Sequence, residues 1–112
     1  MKTVEKLMET PAVAQALDFL KSDTEHTLKE QLEIVQIPAP SNDEGERTAD
    51  FARRLTEMGY EPTIDKVGNV YVTIPGTDPA APTVMVAGHL DTVFPRSLPL
   101  EVKEENGVYR CP

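Results

Sequence analysis

His89 and Asp91 stand two residues apart in the segment Gly88-His89-Leu90-Asp91. In extended backbone such residues point to the same side. The imidazole and the carboxylate would then share one crevice, with Leu90 turned back into the core. A neutral imidazole is a good zinc ligand. A carboxylate beside it can fix the ring's orientation and raise its basicity without touching the metal. Gly88 removes side-chain bulk just before the histidine, and Pro95 stiffens the exit. A plainer reading competes. His-x-Asp triplets arise by chance, and a structural zinc wants about four ligands, a catalytic one about three. A histidine can also simply be satisfied at a strand end.

Other chemistry-bearing residues offer less. Ser97 with His89 and Asp91 invites a triad, but no nucleophile-elbow glycine pattern surrounds Ser97. His26, between Glu25 and Thr27 in a polar helical stretch, reads as a solvated surface histidine. Cys111 has only the adjacent Arg110 to lower its pKa, and reads as an inert thiol. Asp43, Glu44 and Glu46 suit the N-terminus of a helix, where negative charge meets the helix dipole favourably. Glu101, Glu104 and Glu105 read as the wet face of a hairpin, and Gly68-Asn69 as a turn. The glycines match no phosphate-binding loop.

The elements that must position His89 and Asp91 are legible in the periodicity. Thr83–Ala87 (TVMVA) is a continuous apolar run of strand length, which predicts a buried central strand leading into Gly88-His89. In open α/β sheets, ligands bind beyond the carboxyl ends of such strands. Upstream, Pro11 behind Thr10 predicts a helix start, and Val13, Ala16, Leu17 and Leu20 recur at helical spacing. Ser22 and Glu25 form a candidate capping box for a second stretch carrying Leu28, Leu32 and Val35. The two stretches read as one bent helix or two. Pro38 and Pro40 end the region. Ser41 and Glu44 make another candidate capping box, opening a helix over about 44–58. Its stripe is Ala49, Ala52, Leu55 and Met58, with Phe51 beside it and Gly59 as a C-terminal cap. The period then changes to two. Thr63–Val67 and Asn69–Ile74 flank Gly68 as a hairpin. Residues 75–82 read as a loop, and Leu100–Glu104 with Val108–Arg110 form a second hairpin across Asn106-Gly107. The pattern predicts an α/β fold, helices followed by a mixed β-sheet.

The 112 residues are 39% hydrophobic and 27% charged, with 11 basic and 19 acidic side chains and a net charge of -8. That balance predicts a folded domain and disfavours nucleic acid and anionic membrane surfaces as partners. The charged start MKTVEKLMETP lacks an apolar signal core. The single cysteine, Cys111, fits a reducing compartment. Together these predict a cytoplasmic protein with no membrane partner. No helix follows the run at 83–87, whereas parallel sheets need crossover helices. The expectation is therefore an N-terminal portion of one catalytic domain, with 1–40 as a helical lead-in and 41–112 carrying the helix, the strands and the His-x-Asp motif. Such a portion would expose a sheet edge and apolar surface, and would be marginally stable or associate.

The stretch VMVAGHLDTVFP resembles the first metal-binding signature of the zinc-dependent metallopeptidase and deacylase superfamily. Its members include peptidase T, carboxypeptidase G2, succinyl-diaminopimelate desuccinylase, acetylornithine deacetylase and aminoacylase. IVQIPAPSNDEGERTADFARRLTEMGYE is similar to that superfamily's opening helix, loop and capped helix. IDKVGNVYVTIPG resembles its first hairpin, and EVKEENGVYRCP the ribbon before its second metal motif. The likeness spans nearly all of residues 28–112, and its flavour is nearest to the peptidase T-like branch. It implies a fold that is an incomplete three-layer catalytic domain of the zinc-exopeptidase kind. It implies that His89 ligates one Zn2+ of a pair, with Co2+ or Mn2+ as alternatives, and that Asp91 steadies His89 without being a ligand. The bridging carboxylate, the general-base glutamate and the later ligands would lie beyond Pro112. The implied reaction is amide hydrolysis of a small peptide or acyl-amino-acid substrate. The 112 residues alone would be inactive, and the complete protein could be a homodimer. Two readings compete: a non-catalytic α/β module that keeps the shape without the site, and a mononuclear metal hydrolase.

Overall fold

The computed structural model describes residues 2–112. They divide into two units, one running to Glu33 and the other spanning Ile34–Pro112. The first holds α1 (Lys2–Met8), α2 (Pro11–Ser22) and most of α3 (Thr24–Val35). Thr10 takes extended backbone at the N-cap of α2 (φ −67°, ψ 125°), and Pro11 opens the helix where its missing N–H costs nothing. The expected Ser22/Glu25 capping box does not form. Ser22 Oγ donates back to the Phe19 carbonyl at 2.8 Å, the Asp23 N–H reaches the same carbonyl at 3.0 Å, and α3 starts at Thr24. A short hydroxyl side chain can take an i−3 carbonyl in place of a forward cap. The two stretches are thus separate helices. Val13 and Leu17 are half-buried, whereas Phe19 and Leu20 are exposed. His26 lies on the surface of α3, with Nδ1 3.5 Å from Asp23 and 3.9 Å from Glu30.

In the second unit, α4 spans Gly45–Glu57, close to its expected bounds. It ends in a Schellman turn. Gly59 has φ +89°, its N–H donates to Thr56 O at 2.9 Å, and the Tyr60 N–H donates to Leu55 O at 3.0 Å. Glycine makes that left-handed step without a Cβ penalty. The start of α4 departs from expectation. No side chain caps it; Ser41 turns elsewhere, and Glu44 Oε1 accepts from the Asn42 N–H. The packed face departs too. Arg47 and Thr48 are the buried residues of α4, while Ala49 is exposed and Met58 is 68% exposed.

Both hairpins form, shorter than the sequence suggests. β1 (Thr63–Ile64) pairs antiparallel with β2 (Val70–Tyr71). Asp65 closes their loop: its carboxylate accepts from the Val67 and Asn69 N–H groups, from Asn69 Nδ2 and from Tyr71 Oη. Local acceptors of this kind compete with strand pairing and shorten the ladder. Thr48 Oγ1 donates to Gly68 O at 3.3 Å, fastening α4 to the loop. β3 (Lys103–Glu105) pairs with β4 (Val108–Arg110) across Asn106 and Gly107, both at positive φ, as a two-residue primed turn requires.

The expected buried strand at Thr83–Ala87 is not there. Residues 82–91 carry no regular secondary structure, and Val84, Met85 and Val86 are 83%, 79% and 94% exposed. A strand exists only through a neighbour's N–H and C=O groups, and among the described residues none pairs with this run. Among the described residues the expected mixed sheet is therefore two separate two-stranded antiparallel sheets, plus one isolated parallel bridge between Pro40 and Thr92. Helices with small antiparallel sheets remain compatible with an α/β class. Among the described residues the buried apolar side chains are Ala39 and Leu100, and no helix is long and apolar enough to cross a membrane.

Candidate metal-binding histidine and its support

The Pro40–Thr92 bridge is what places the candidate site. The Thr92 N–H donates to Ala39 O at 2.8 Å, so the segment 37–41 lies alongside 90–92. Arg47 reinforces this from α4. Its Nε donates to Ile37 O at 3.0 Å, its Nη1 to Leu90 O at 2.7 Å, and its Nη2 to both Ile37 O and Val35 O. Arg47 is only 7% exposed. Burial pulls its pKa down, and the charge of Asp91 opposes that. A guanidinium remains charged in either case. One buried cation thus joins three carbonyls of two chain segments, and one of those carbonyls belongs to the residue between His89 and Asp91.

His89 and Asp91 come together. His89 Nδ1 lies 3.0 Å from Asp91 Oδ1 and 3.0 Å from Asp91 O. Neither a carboxylate nor a carbonyl can donate, so Nδ1 carries a proton, and in the neutral ring Nε2 presents its lone pair. The His89 side chain is 84% exposed, Asp91 35%. The ring is therefore turned to solvent, not consumed in a core. Ser41 Oγ donates to the other carboxylate oxygen, Asp91 Oδ2, at 2.5 Å. Hydrogen bonds from Ser41 and His89 hold the Asp91 carboxyl below the usual range. Ser41 is not a nucleophile here: it meets the carboxylate, whereas a triad serine must meet the imidazole.

No family model matches the chain. Curated proteins do. It is 37% identical over 60 residues to a glutamyl aminopeptidase of Lactococcus lactis, covering 54% of this chain and 17% of that protein. It is 37% identical over 71 residues to a protein of Pyrococcus abyssi named as a LysW-lysine/LysW-ornithine hydrolase, covering 63% and 20%. The same-named protein of Pyrococcus horikoshii gives 35% over 81 residues, covering 72% and 24%. These likenesses support a place for the chain in the metallopeptidase and deacylase superfamily. It spans roughly a fifth of the length of these relatives, between 17% and 24%.

The donor set within these residues is small. Among the described residues no three His, Cys, Asp or Glu side chains gather to hold an ion. What is present fits one ligand: an exposed imidazole with its second nitrogen committed to acceptors. Cys111 is a free, half-buried thiol. Asp43 and Glu46, expected only as helix-terminal charges, clamp Arg96: Nε to Asp43 at 2.8 Å and Nη1 to Glu46 at 2.5 Å. That pair straps the loop after the His-x-Asp segment to the start of α4. Sequence reasoning missed Arg47 and Arg96, and gave Ser41 a different partner.

These contacts make the acid limb of stability predictable. Asp43 is held below its ordinary 3.8 by Arg96, and Asp65 by the Asn69 side chain and the backbone N–H groups of its loop. A carboxylate with a lowered folded pKa contributes its full stability above the unfolded value, and loses it as pH falls through the folded one. Unfolding followed by circular dichroism should therefore set in below about pH 3.8, with a flat baseline from about pH 5 to 7. A midpoint at pH 5 or higher would contradict these assignments.

Proposed function

We propose that this chain contributes one metal-binding histidine, His89, and its orienting carboxylate, Asp91, to a metal-dependent hydrolase of amide bonds. One observation carries the reading: Nδ1 of His89 faces two acceptors on Asp91, and the ring is left open to solvent with Nε2 free. That is the posture in which a neutral imidazole accepts a divalent cation, with the carboxylate raising its basicity. The remaining ligands and the proton-accepting carboxylate come from sequence outside these residues, in keeping with the fraction of the relatives' length covered here. A pair of Zn2+ ions, or Co2+ or Mn2+ in their place, would supply carbonyl polarisation and a water of lowered pKa. The relatives are named as a glutamyl aminopeptidase and as LysW-lysine/LysW-ornithine hydrolases, which supports small peptides or acyl-amino-acid conjugates as substrates.

The test uses protein expressed from the complete reading frame. It is stripped with chelator and assayed against aminoacyl anilides and N-acyl amino acids before and after Zn2+ is restored. Hydrolysis that vanishes on stripping and returns with the metal supports the reading. Chelator-resistant hydrolysis overturns it. Absence of hydrolysis under all conditions also overturns it, in favour of a non-catalytic module.

A further inference from the structure

The contact least expected from the sequence is the one between Ser41 and Asp91, fifty positions apart. Both residues are partly or largely open to water. An exposed hydrogen bond contributes little to stability, so its consequence is orientation. A free carboxylate turns about its χ2 bond, and that torsion is soft. Here Oδ2 is held by the Ser41 hydroxyl at 2.5 Å, the range of a charge-assisted O–H···O bond. With Oδ2 fixed, Oδ1 can only face His89, where it sits 3.0 Å from Nδ1. Ser41 is itself placed by backbone: the Thr92 N–H to Ala39 O bond and the Pro40–Thr92 bridge set the register of the two segments. The Pro40 carbonyl accepts from the Asp43 N–H at 2.8 Å, closing a turn around Ser41 in which Asn42 has φ +67°.

We propose that Ser41 is a positioning residue for the metal site, locking the Asp91 carboxylate so that His89 is held with Nδ1 protonated and Nε2 presented to the cation. The inference rests on the functional reading above, and extends it to a residue that touches neither metal nor substrate. Ser41 acts through Asp91, and Asp91 through the ring. Loss of the hydroxyl leaves both side chains in place but frees the carboxylate, so Nδ1 keeps the Asp91 carbonyl as its one fixed acceptor and the imidazole samples its other tautomer more often. Threonine keeps the hydroxyl and restores the lock; alanine does not.

The primary readout needs no metal and no turnover. In histidine-15N-labelled chain at pH 8, long-range proton–nitrogen correlation spectra report which His89 nitrogen bears the proton. Wild type should show the Nδ1-protonated form predominating. S41A should shift the population toward the Nε2-protonated form, and S41T should restore it. Titration with Co2+ supplies the second readout. S41A should weaken binding roughly tenfold, the low end for outer partners of a ligand, with thermal unfolding unchanged. A wild-type tautomer that S41A leaves untouched overturns the inference, as does an equal loss in S41A and S41T. Chelator-resistant hydrolysis in the complete protein would sink the functional reading instead, and the tautomer shift would not register it.

Discussion

H89A in the complete protein should cut metal-dependent hydrolysis by on the order of 10^3-fold, while leaving thermal stability unchanged. A bound cation contributes several kcal/mol to an amide-cleaving transition state, and each 1.36 kcal/mol is tenfold in rate. Removing a ligand forfeits most of that contribution. The imidazole is 84% exposed, so its loss opens no cavity and orphans no buried group. Activity and stability should therefore separate cleanly. D91A should fall between H89A and wild type: roughly 10–100-fold in metal affinity, as for outer partners of a ligand, with residual turnover at saturating Zn2+. Metal content by mass spectrometry and kcat/KM measured side by side decide the matter. If D91A proves as damaging as H89A even at saturating metal, Asp91 is itself a ligand and the division of labour is wrong. If H89A retains its metal and rate, the ligand assignment fails.

What the sequence disclosed, and what it withheld, divides by the range of the interaction. Elements settled within a few residues were legible: the proline start of α2, the bounds of α4 with Gly59 as its cap, and the primed turn at Asn106-Gly107. The His89–Asp91 pairing is also local, and extended spacing sufficed to anticipate it. Contacts made between distant segments were not legible. Ser41 and Glu44 carry the spacing of a capping box, yet a carboxylate fifty positions away takes the serine. Thr83–Ala87 has the composition of a buried strand, but composition cannot supply the neighbouring strand that would pair with it. Arg47 did leave a trace that went unread. A cation in the first turn of a helix opposes the helix dipole, and a residue so placed against its local preference invites a search for distant partners.

Arg47 is where the second large effect is expected. R47M keeps most of the side chain's apolar length but removes every donor. Ile37 O, Leu90 O and Val35 O then lose the guanidinium that satisfies them. Hydrogen bonds to charged groups are worth roughly 1.5–3 kcal/mol each, and a buried acceptor left unsatisfied costs about 1–3 kcal/mol. Partial access of water to the loops will offset some of this, so a net loss of about 3 kcal/mol is the expected scale. Whole domains are stable by only about 5–15 kcal/mol, so in urea the midpoint should fall by roughly a fifth to three fifths. R47K should recover little, because one ammonium cannot reproduce a planar fork aimed at three carbonyls. The functional consequence follows from Leu90. Its carbonyl is flanked by His89 and Asp91, so releasing it loosens both ends of the pair at once. R47M should therefore lower stability and metal affinity together, whereas S41A lowers affinity alone. Should R47M melt with wild type in urea, the buried guanidinium is not the tie between segments 35–37 and 90, and the account of how the fold presents His89 must be rebuilt around the Pro40–Thr92 bridge alone.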